Sequence, residues 1–149
     1  MEMRSPEAFA TARAASRAST EYVLRSLVLL GDLTDGDLLT GLISAAIVQG
    51  NVAHLERDPH AAYASVEDIP PDTERRPVSS MAVAASLRLP YETVRRHIAR
   101  MVREGLCVRR SGGVVVPTTV LSSPLHEAML LANLSNLRRL VRALAALGI

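Results

Sequence analysis

The chain has 149 residues, 48% of them hydrophobic, which suits one domain, residues 1–149, with a buried core. Its single cysteine excludes a disulfide framework and a cysteine-based zinc site, and no apolar stretch suits a signal sequence or a membrane-spanning helix, so we expect a cytoplasmic protein without membrane contact. The net charge of +2 is unevenly distributed: residues 75–110 hold nine arginines against two glutamates, and residues 26–74 hold nine acidic residues against one arginine.

Two helices are predicted in the N-terminal part, residues 5–57. Ser5, Pro6 and Glu7 supply a cap, a first-turn proline and an early acidic residue, so a helix should start here and run to about Leu30, ended by Gly31. The second half of this helix is apolar enough to be buried. The residues concerned are Tyr22, Val23, Leu24, Leu27, Val28 and Leu30.

A turn over residues 32–36, with Thr34 or Asp35 as the cap, leads into a second helix over about residues 36–56. Its apolar stripe is too wide for a helix that lies half in water, so we expect this helix to be central. Gly50 and Asn51 are expected to fray or kink it. The stripe consists of Leu38, Leu39, Leu42, Ile43, Ala46, Ile47 and Val48.

Residues 58–77 are polar and interrupted by proline, which predicts a long connecting loop with a functional or mobile role. Two groups of side chains resemble metal ligands, one at the start of this loop and one between the first two predicted helices. The alternating residues His54, Glu56, Asp58 and His60 are interpreted as a solvated helix end. The residues Asp32, Asp35 and Asp37 lack the other positions of a calcium loop and are interpreted as favourable charge at a helix N-terminus.

Catalytic motifs are absent from the sequence. It contains no glycine-rich phosphate loop, no Ser-His-Asp spacing and no Cys-His pair. We therefore predict no enzymatic activity, no metal and no cofactor. Cys107 lies in an apolar strand position and is interpreted as a small buried residue, with redox sensing as the alternative.

Two further helices are predicted over residues 79–87 and 90–104. The first begins at Ser79 and Ser80, which are favourable capping residues. Its small residues allow a second helix to approach closely, as in a helix-turn-helix. Its narrow apolar edge is formed by Met81, Ala84 and Leu87.

The helix over 90–104 has one apolar face and one cationic face. Pro90 suits its first turn and Gly105 its end. Val94, Ile98 and Met101 repeat at helical period and predict a buried stripe. The polar residues of this helix are Arg96, Arg100 and Arg103 on the opposite side, Glu92 and Thr93 near its start, Arg95 on the flank and His97 at the border of the stripe.

A β-hairpin is predicted over residues 106–117. Gly112 and Gly113 lie between two runs rich in valine, and glycine supplies the positive φ that tight hairpin turns require. Arg109 and Arg110 fall next to this turn, where an arginine can reach phosphates or a minor groove. Pro77 and Val78 are positioned to add a short third strand.

The C-terminal part, residues 123–148, is predicted to be one helix over about 124–147, with Ser122, Ser123 and Pro124 at its start. Its leucine and valine residues are spaced alternately by four and three, as in a helix–helix seam. This stripe either covers the chain's own core or forms a subunit interface with the N-terminal helix, and we favour the interface. The stripe is Leu130, Leu134, Leu137, Val141 and Leu144.

The segment MAVAASLRLPYETVRRHIARMVREGL with the following hairpin resembles the winged helix-turn-helix of bacterial transcription regulators. The resemblance covers residues 78–117 and implies a supporting helix at 79–87, a recognition helix at 90–104 and a wing at 106–117. Arg88 stands where such motifs usually have glycine, so a left-handed backbone conformation there would be energetically less favourable. In length and topology the whole chain is similar to the MarR-type dimeric regulators, whose terminal helices dimerise.

These observations lead to one expected function, a homodimer that binds double-stranded DNA in a sequence-specific way and regulates transcription. The fold expected is mainly α, with a small hairpin wing and long terminal helices. The basic block favours binding to a polyanion, and two symmetric modules would bind a palindrome. The predicted DNA-binding residues are Ser79, Ser80, Tyr91, Glu92, Thr93, Arg95, Arg96, Arg100, Arg103, Arg109 and Arg110.

Two alternatives stay open at this stage. Winged helices also bind proteins, and the acidic region 26–74 could be such a contact surface. The other alternative is a regulator that responds to an unknown small-molecule effector held between its helices. The aromatic content of 3% argues against a stacking pocket for such an effector.

Overall fold

The structure, a computed structural model, describes residues 5–55 and 69–149. In this part of the chain the protein is mainly helical, with a small antiparallel hairpin, which confirms the mainly α class. The elements in chain order are α1 (Pro6–Asp32), α2 (Leu38–Val52), α3 (Ser80–Leu87), α4 (Tyr91–Arg103), β1 (Val108–Arg110), β2 (Gly113–Val115), α5 (Thr118–Leu121) and α6 (Pro124–Ala145). None of these described helices has the length and apolar character needed to cross a lipid bilayer.

The contacts divide the chain into two compact units. One contains most of α1, up to Leu29, and α6 from Ala128 onward, and the other is Leu30–Glu127. The prediction of a single domain is not tested by this division and stays a prediction. The second unit holds α2, α3, α4, the hairpin and α5.

The junction between α1 and α2 differs from the prediction. Helix α1 continues through Gly31 to Asp32, because the backbone turns into the left-handed region only at Asp35 and Gly36. The cap of α2 is Asp37, whose carboxylate accepts a hydrogen bond from the Thr40 N–H, and it is neither Thr34 nor Asp35. Helix α2 therefore begins at Leu38, slightly later than predicted, and it ends at Val52, before the predicted end near residue 56.

Helix α2 lies at the centre of the second unit, as predicted. It packs against α3, α4 and β2. Ile43 and Ile47 are fully buried, whereas Leu38, at the start of the predicted stripe, is exposed. The core around them contains Val83, Ala84, Val94, Ile98, Met101, Cys107, Val114, Val116 and Leu121.

Asn51 lies one residue before the end of α2 at Val52. Its side chain is fully buried and hydrogen-bonded at both ends: the amide nitrogen donates to the carbonyls of Arg76 (2.7 Å) and Val114 (3.1 Å). The amide oxygen accepts from the Val116 N–H at 3.1 Å. The side chain therefore joins α2 to the segment before α3 and to β2, a role that the prediction missed.

In the first unit, α1 and α6 contact each other, and the Tyr22 hydroxyl donates to the Asn133 side-chain oxygen at 3.2 Å. Among the described residues of these two helices, none is fully buried. The predicted burial of the second half of α1 is wrong for Val23, Leu24 and Val28, which are exposed in the single chain because α6 covers only the other side of α1.

Candidate nucleic-acid interface

Helix α3 is fixed at its start by a side-chain cap. The Ser79 hydroxyl accepts from the Ala82 N–H at 3.1 Å, as its residue type predicted. The predicted apolar edge is wrong at Met81, which is 68% exposed, because Val83 and Ala84 are the residues that point into the core. Ser79 and Ser80 both lie at this N-terminus, where backbone N–H groups are free to bind an anion.

The turn between α3 and α4 contains the strain that the sequence indicated. Arg88 adopts the left-handed conformation with φ 54° and ψ 40°. This conformation lets the Arg88 and Leu89 N–H groups reach the carbonyls of Ala85 and Ala84 and close the helix. Pro90 then precedes the first residue of α4, so the two helices are separated by a very short connection.

The apolar stripe of α4 is confirmed. Val94, Ile98 and Met101 are all fully buried, and the helix ends at Arg103, with Glu104 as its C-cap before Gly105, which has φ 77°. Because this face is fixed in the core, the opposite face of α4 must point into solvent. The orientation of every polar side chain on α4 follows from these three contacts.

The solvent face of α4 is cationic. Arg96 and Arg103 are exposed, and among the described residues neither makes a hydrogen bond or a close salt bridge, although the charge of Arg96 helps to lower the pKa of Glu92. With His97 and Arg100 they line an open cleft of about 300 Å³, and all the lining side chains that belong to described residues are basic. Such a cleft suits an anion, and phosphate oxygens are the acceptors that arginine binds best.

Near the start of α4, Tyr91 is 48% exposed and Thr93 is half-buried. Glu92 and Arg95 form a two-point ion pair on the surface. The Arg95 Nε donates to Glu92 Oε2 at 2.9 Å and Nη2 donates to Oε1 at 2.6 Å. This hydrogen bonding holds the pKa of the Glu92 carboxyl below its ordinary value, so Glu92 stays charged.

Arg100 differs from the other arginines of α4 because its guanidinium binds side chains at the start of another helix, α2. Its Nη2 donates to the Asp37 carboxylate and, at 2.6 Å, to the Thr40 hydroxyl. Thr40 also lies 2.8 Å from the Nδ1 of His97. This group, the Asp37–Arg100 cluster (Asp37, Thr40, His97 and Arg100), ties the start of α2 to the middle of α4.

The same contacts lower the pKa of Asp37. The Thr40 N–H is the main cause and the Arg100 guanidinium the next, and together they bring this pKa from its ordinary 3.8 to about 2. The carboxylate is therefore ionised at any physiological pH. Sequence reasoning missed Asp37 and Thr40 as partners of Arg100, since nothing local connects residues sixty or more positions apart.

The hairpin presents its two arginines differently. The strands pair with Arg109 opposite Val114 and Arg110 opposite Gly113. The Arg110 Nη1 donates to the Asp72 carbonyl at 2.9 Å, whereas the exposed Arg109 has no such partner among the described residues. Arg109 is thus the freer of the two cations.

The hairpin is locked onto the segment that precedes α3. Val78 forms an isolated antiparallel bridge with Val114, which is the short third strand position anticipated from the sequence. Gly113 is required here, because a Cβ at this position would lie 2.0 Å from the Val78 carbonyl oxygen. On the far side of the hairpin, the Asp72 carboxylate accepts from the Thr118 N–H at 2.9 Å and from its hydroxyl at 2.5 Å.

Cys107, just before β1, is 2% exposed, as predicted. Burial raises the pKa of its thiol to about 11, so little thiolate is present at neutral pH. The environment of this thiol is that of a packed core residue, since reactive cysteines have lowered pKa values and solvent access.

Within the part of the chain that the structure describes, no cluster of three or more His, Cys, Asp or Glu side chains could hold a metal ion. Of the alternating set considered above, Glu56, Asp58 and His60 lie outside the described residues, as do residues 58–68 of the predicted loop. Every predicted DNA-binding residue lies within the described part, on α3, α4 or the hairpin or directly before α3.

Comparison with known proteins finds no match for this chain among family models, curated proteins or solved structures.

Proposed function

We propose that this protein is a homodimeric, sequence-specific double-stranded DNA-binding transcription regulator, with residues 78–117 as a winged helix-turn-helix. One observation carries the proposal. The solvent face of α4 holds Arg96 and Arg103, which make no hydrogen bond or close salt bridge to any described residue, in a cleft whose described lining is basic, on a helix whose other face is fixed in the core. A rigid cationic helix of this kind fits the major groove of B-DNA.

In the proposed complex α4 lies in the major groove. Tyr91, Thr93, Arg95 and Arg96, in its first turns, are placed to reach base edges. Arg to guanine is the commonest specific contact and contributes about 1–3 kcal/mol of discrimination. Arg103 and the N–H groups at Ser79 and Ser80 hold phosphates, which set register and orientation.

The other basic residues take different parts. Arg109 reaches the backbone or the minor groove from the hairpin, the proposed wing. Arg110 supports the hairpin through Asp72 and contributes positive charge. Arg100, predicted from the sequence to bind DNA, serves mainly to fix α4 against α2, because its Nη2 already donates to Asp37 and Thr40.

The proposed dimer is supported by the terminal helices. Large apolar side chains remain exposed on both α1 and α6, and helices of a stable protein normally bury such surface. A second copy of the chain is the partner proposed, since two modules related by a twofold axis bind two half-sites.

The experiment is DNA binding across a salt series with matched arginine variants. Arg103→Ala should weaken binding to random duplex DNA and reduce the salt slope by about one, because one phosphate contact is lost. Arg96→Ala should weaken binding to a specific site more than binding to random DNA, because a base contact is lost. Arg13→Ala on α1 removes the same charge from an exposed position and is the control. The proposal is wrong if the wild-type protein shows no salt-dependent binding to duplex DNA, or if the control changes the slope as much.

A further inference from the structure

The Glu92–Arg95 pair leaves one edge of the arginine open. A guanidinium has five N–H donors: one on Nε and two on each Nη. Glu92 takes the side edge, with its two oxygens accepting from Nε and from Nη2. The end edge, formed by Nη1 and the outer hydrogen of Nη2, is left with two parallel N–H groups.

Two parallel donors match the recognition edge of one base in particular. Guanine offers two adjacent acceptors, N7 and O6, in the major groove, and a bidentate arginine is its usual partner. A phosphate can also accept two hydrogen bonds, but it does not require the arginine to be held in advance. A carboxylate that accepts hydrogen bonds from Nε and Nη2 fixes the plane of the guanidinium and therefore the direction in which the end edge points.

We propose that Glu92 is a positioning residue that holds Arg95 in the orientation for contacting a guanine, and that it gives this helix base selectivity. The inference rests on the proposed function, because it assumes that α4 enters the major groove. Glu92 itself need not touch the DNA.

A role in stability does not account for the pair. Both side chains are at least half exposed, and ion pairs between such side chains contribute little to folding. On a helix that faces DNA, a carboxylate also repels phosphates. Glu92 therefore lowers the affinity of the protein for DNA of any sequence, and it favours specific binding only if it raises the preference for some DNA sequences over others.

The contrast between affinity and selectivity gives the test. Sites are selected from random duplex DNA with the wild-type protein, Glu92→Gln and Glu104→Gln, and affinities are measured for the selected site and for versions with single guanines replaced. Glutamine keeps the length of the side chain but cannot accept two charge-assisted bonds from Arg95. Glu104→Gln removes the same charge from the C-cap of α4, where the carboxylate pairs with Arg100 at 3.8 Å, and is the control.

We expect both glutamine variants to bind random DNA more tightly than the wild-type protein. Only Glu92→Gln should lose preference at one guanine, from about tenfold or more to about threefold or less, as expected for a bidentate arginine contact. Arg95→Ala should lose the same preference, and adding Glu92→Gln to Arg95→Ala should change it no further. Thermal unfolding of Glu92→Gln should match the wild-type protein closely.

The inference is overturned if Glu92→Gln keeps the wild-type preference, if Glu104→Gln loses it equally, or if the selected sites contain no guanine whose recognition depends on Arg95. In each of these cases the wild-type protein still binds duplex DNA, so the proposed function stands. A wild-type protein that binds no duplex DNA overturns both.

Discussion

At the scale of single residues, Asn51 and Arg75 hold the hairpin in place beneath the candidate interface. Asn51 accepts from the Val116 N–H, and the Arg75 Nε donates to the Val116 carbonyl at 3.1 Å. Both side chains are almost fully buried, and burial lowers the pKa of the Arg75 guanidinium. Buried polar groups are costly when they lack hydrogen bonds, so these two bonds to Val116 favour one position of the hairpin.

Replacing Asn51 should therefore be strongly destabilising. In Asn51→Ala the Arg76 and Val114 carbonyls lose their shared donor, and the Val116 N–H loses its acceptor in the interior. The expected loss is about 2–4 kcal/mol of unfolding free energy. Asn51→Asp should lose at least as much, because a carboxylate would face the two carbonyl oxygens. Urea unfolding measures both, with the exposed Gln49→Ala on the same helix as control; a loss no larger than that of the control would contradict the assigned bonds.

At the scale of elements, the position of α4 depends on the start of α2. The Asp37–Arg100 cluster joins the two helices at a point where Asp37 also caps α2. A carboxylate at a helix N-terminus is favoured by the helix dipole, and Arg100 adds a second stabilising contact. Loss of this carboxylate's charge weakens the cap and the link to α4 together.

The cluster predicts an acid-dependent contribution to stability. The pKa of Asp37 is about 2 in the folded chain and near 4 when unfolded, so its contribution is fully present above pH 4 and is lost as the pH falls towards 2. The stability difference between the wild-type protein and Asp37→Asn should shrink over that range and stay constant between pH 5 and 7. Denaturant unfolding at each pH measures it, with Asp32→Asn as the charge-matched control. A difference that stays constant down to pH 2 would contradict the prediction.

The sequence predicted those features of these elements that depend on neighbouring residues. The buried face of α4, the Ser79 cap and the glycine turn of the hairpin follow from spacing and residue type within a few positions. The strain at Arg88 is also predictable from the sequence, because a residue other than glycine stands where the turn requires positive φ.

What the sequence could not predict depends on distant parts of the chain. Met81 and Val83 could each have faced the core, and only the place of α3 against α2 decides between them. The bonds from Arg100 to Asp37 and from Asn51 to Val116 join residues more than sixty positions apart, and no local pattern encodes them. At the candidate interface, sequence reasoning therefore identified the arginines but could not distinguish Arg100, which binds Asp37 and Thr40, from Arg96, which makes no hydrogen bond to a described residue.

At the scale of the whole molecule, the terminal helices α1 and α6 carry large apolar side chains that stay exposed to solvent in the single chain. At about 100° per residue, Leu130, Leu134 and Val141 share one side of α6, and Arg138 and Arg142 lie about 60° and about 100° from the middle of that side. Leu137 and Leu144 are half-buried, so the predicted seam is only partly covered by the chain itself. Burial of such side chains against a second copy is the proposed basis of the dimer.

Val141→Asp tests this dimer with little effect on the single chain, because Val141 is 62% exposed there. In a dimer the new carboxylate would be buried without a partner, so the dimer dissociation constant should rise at least about tenfold. Sedimentation equilibrium measures the change, and circular dichroism checks that the helices persist. Ser135→Asp, on the exposed arginine-bearing side of α6, is the control and should leave the dimer intact. A wild-type chain that sediments as a monomer at every concentration, or a Val141→Asp chain that stays dimeric, would contradict the interface. If the interface is correct, Val141→Asp should also lose the preference for palindromic over single half-sites, since the two modules would then bind independently.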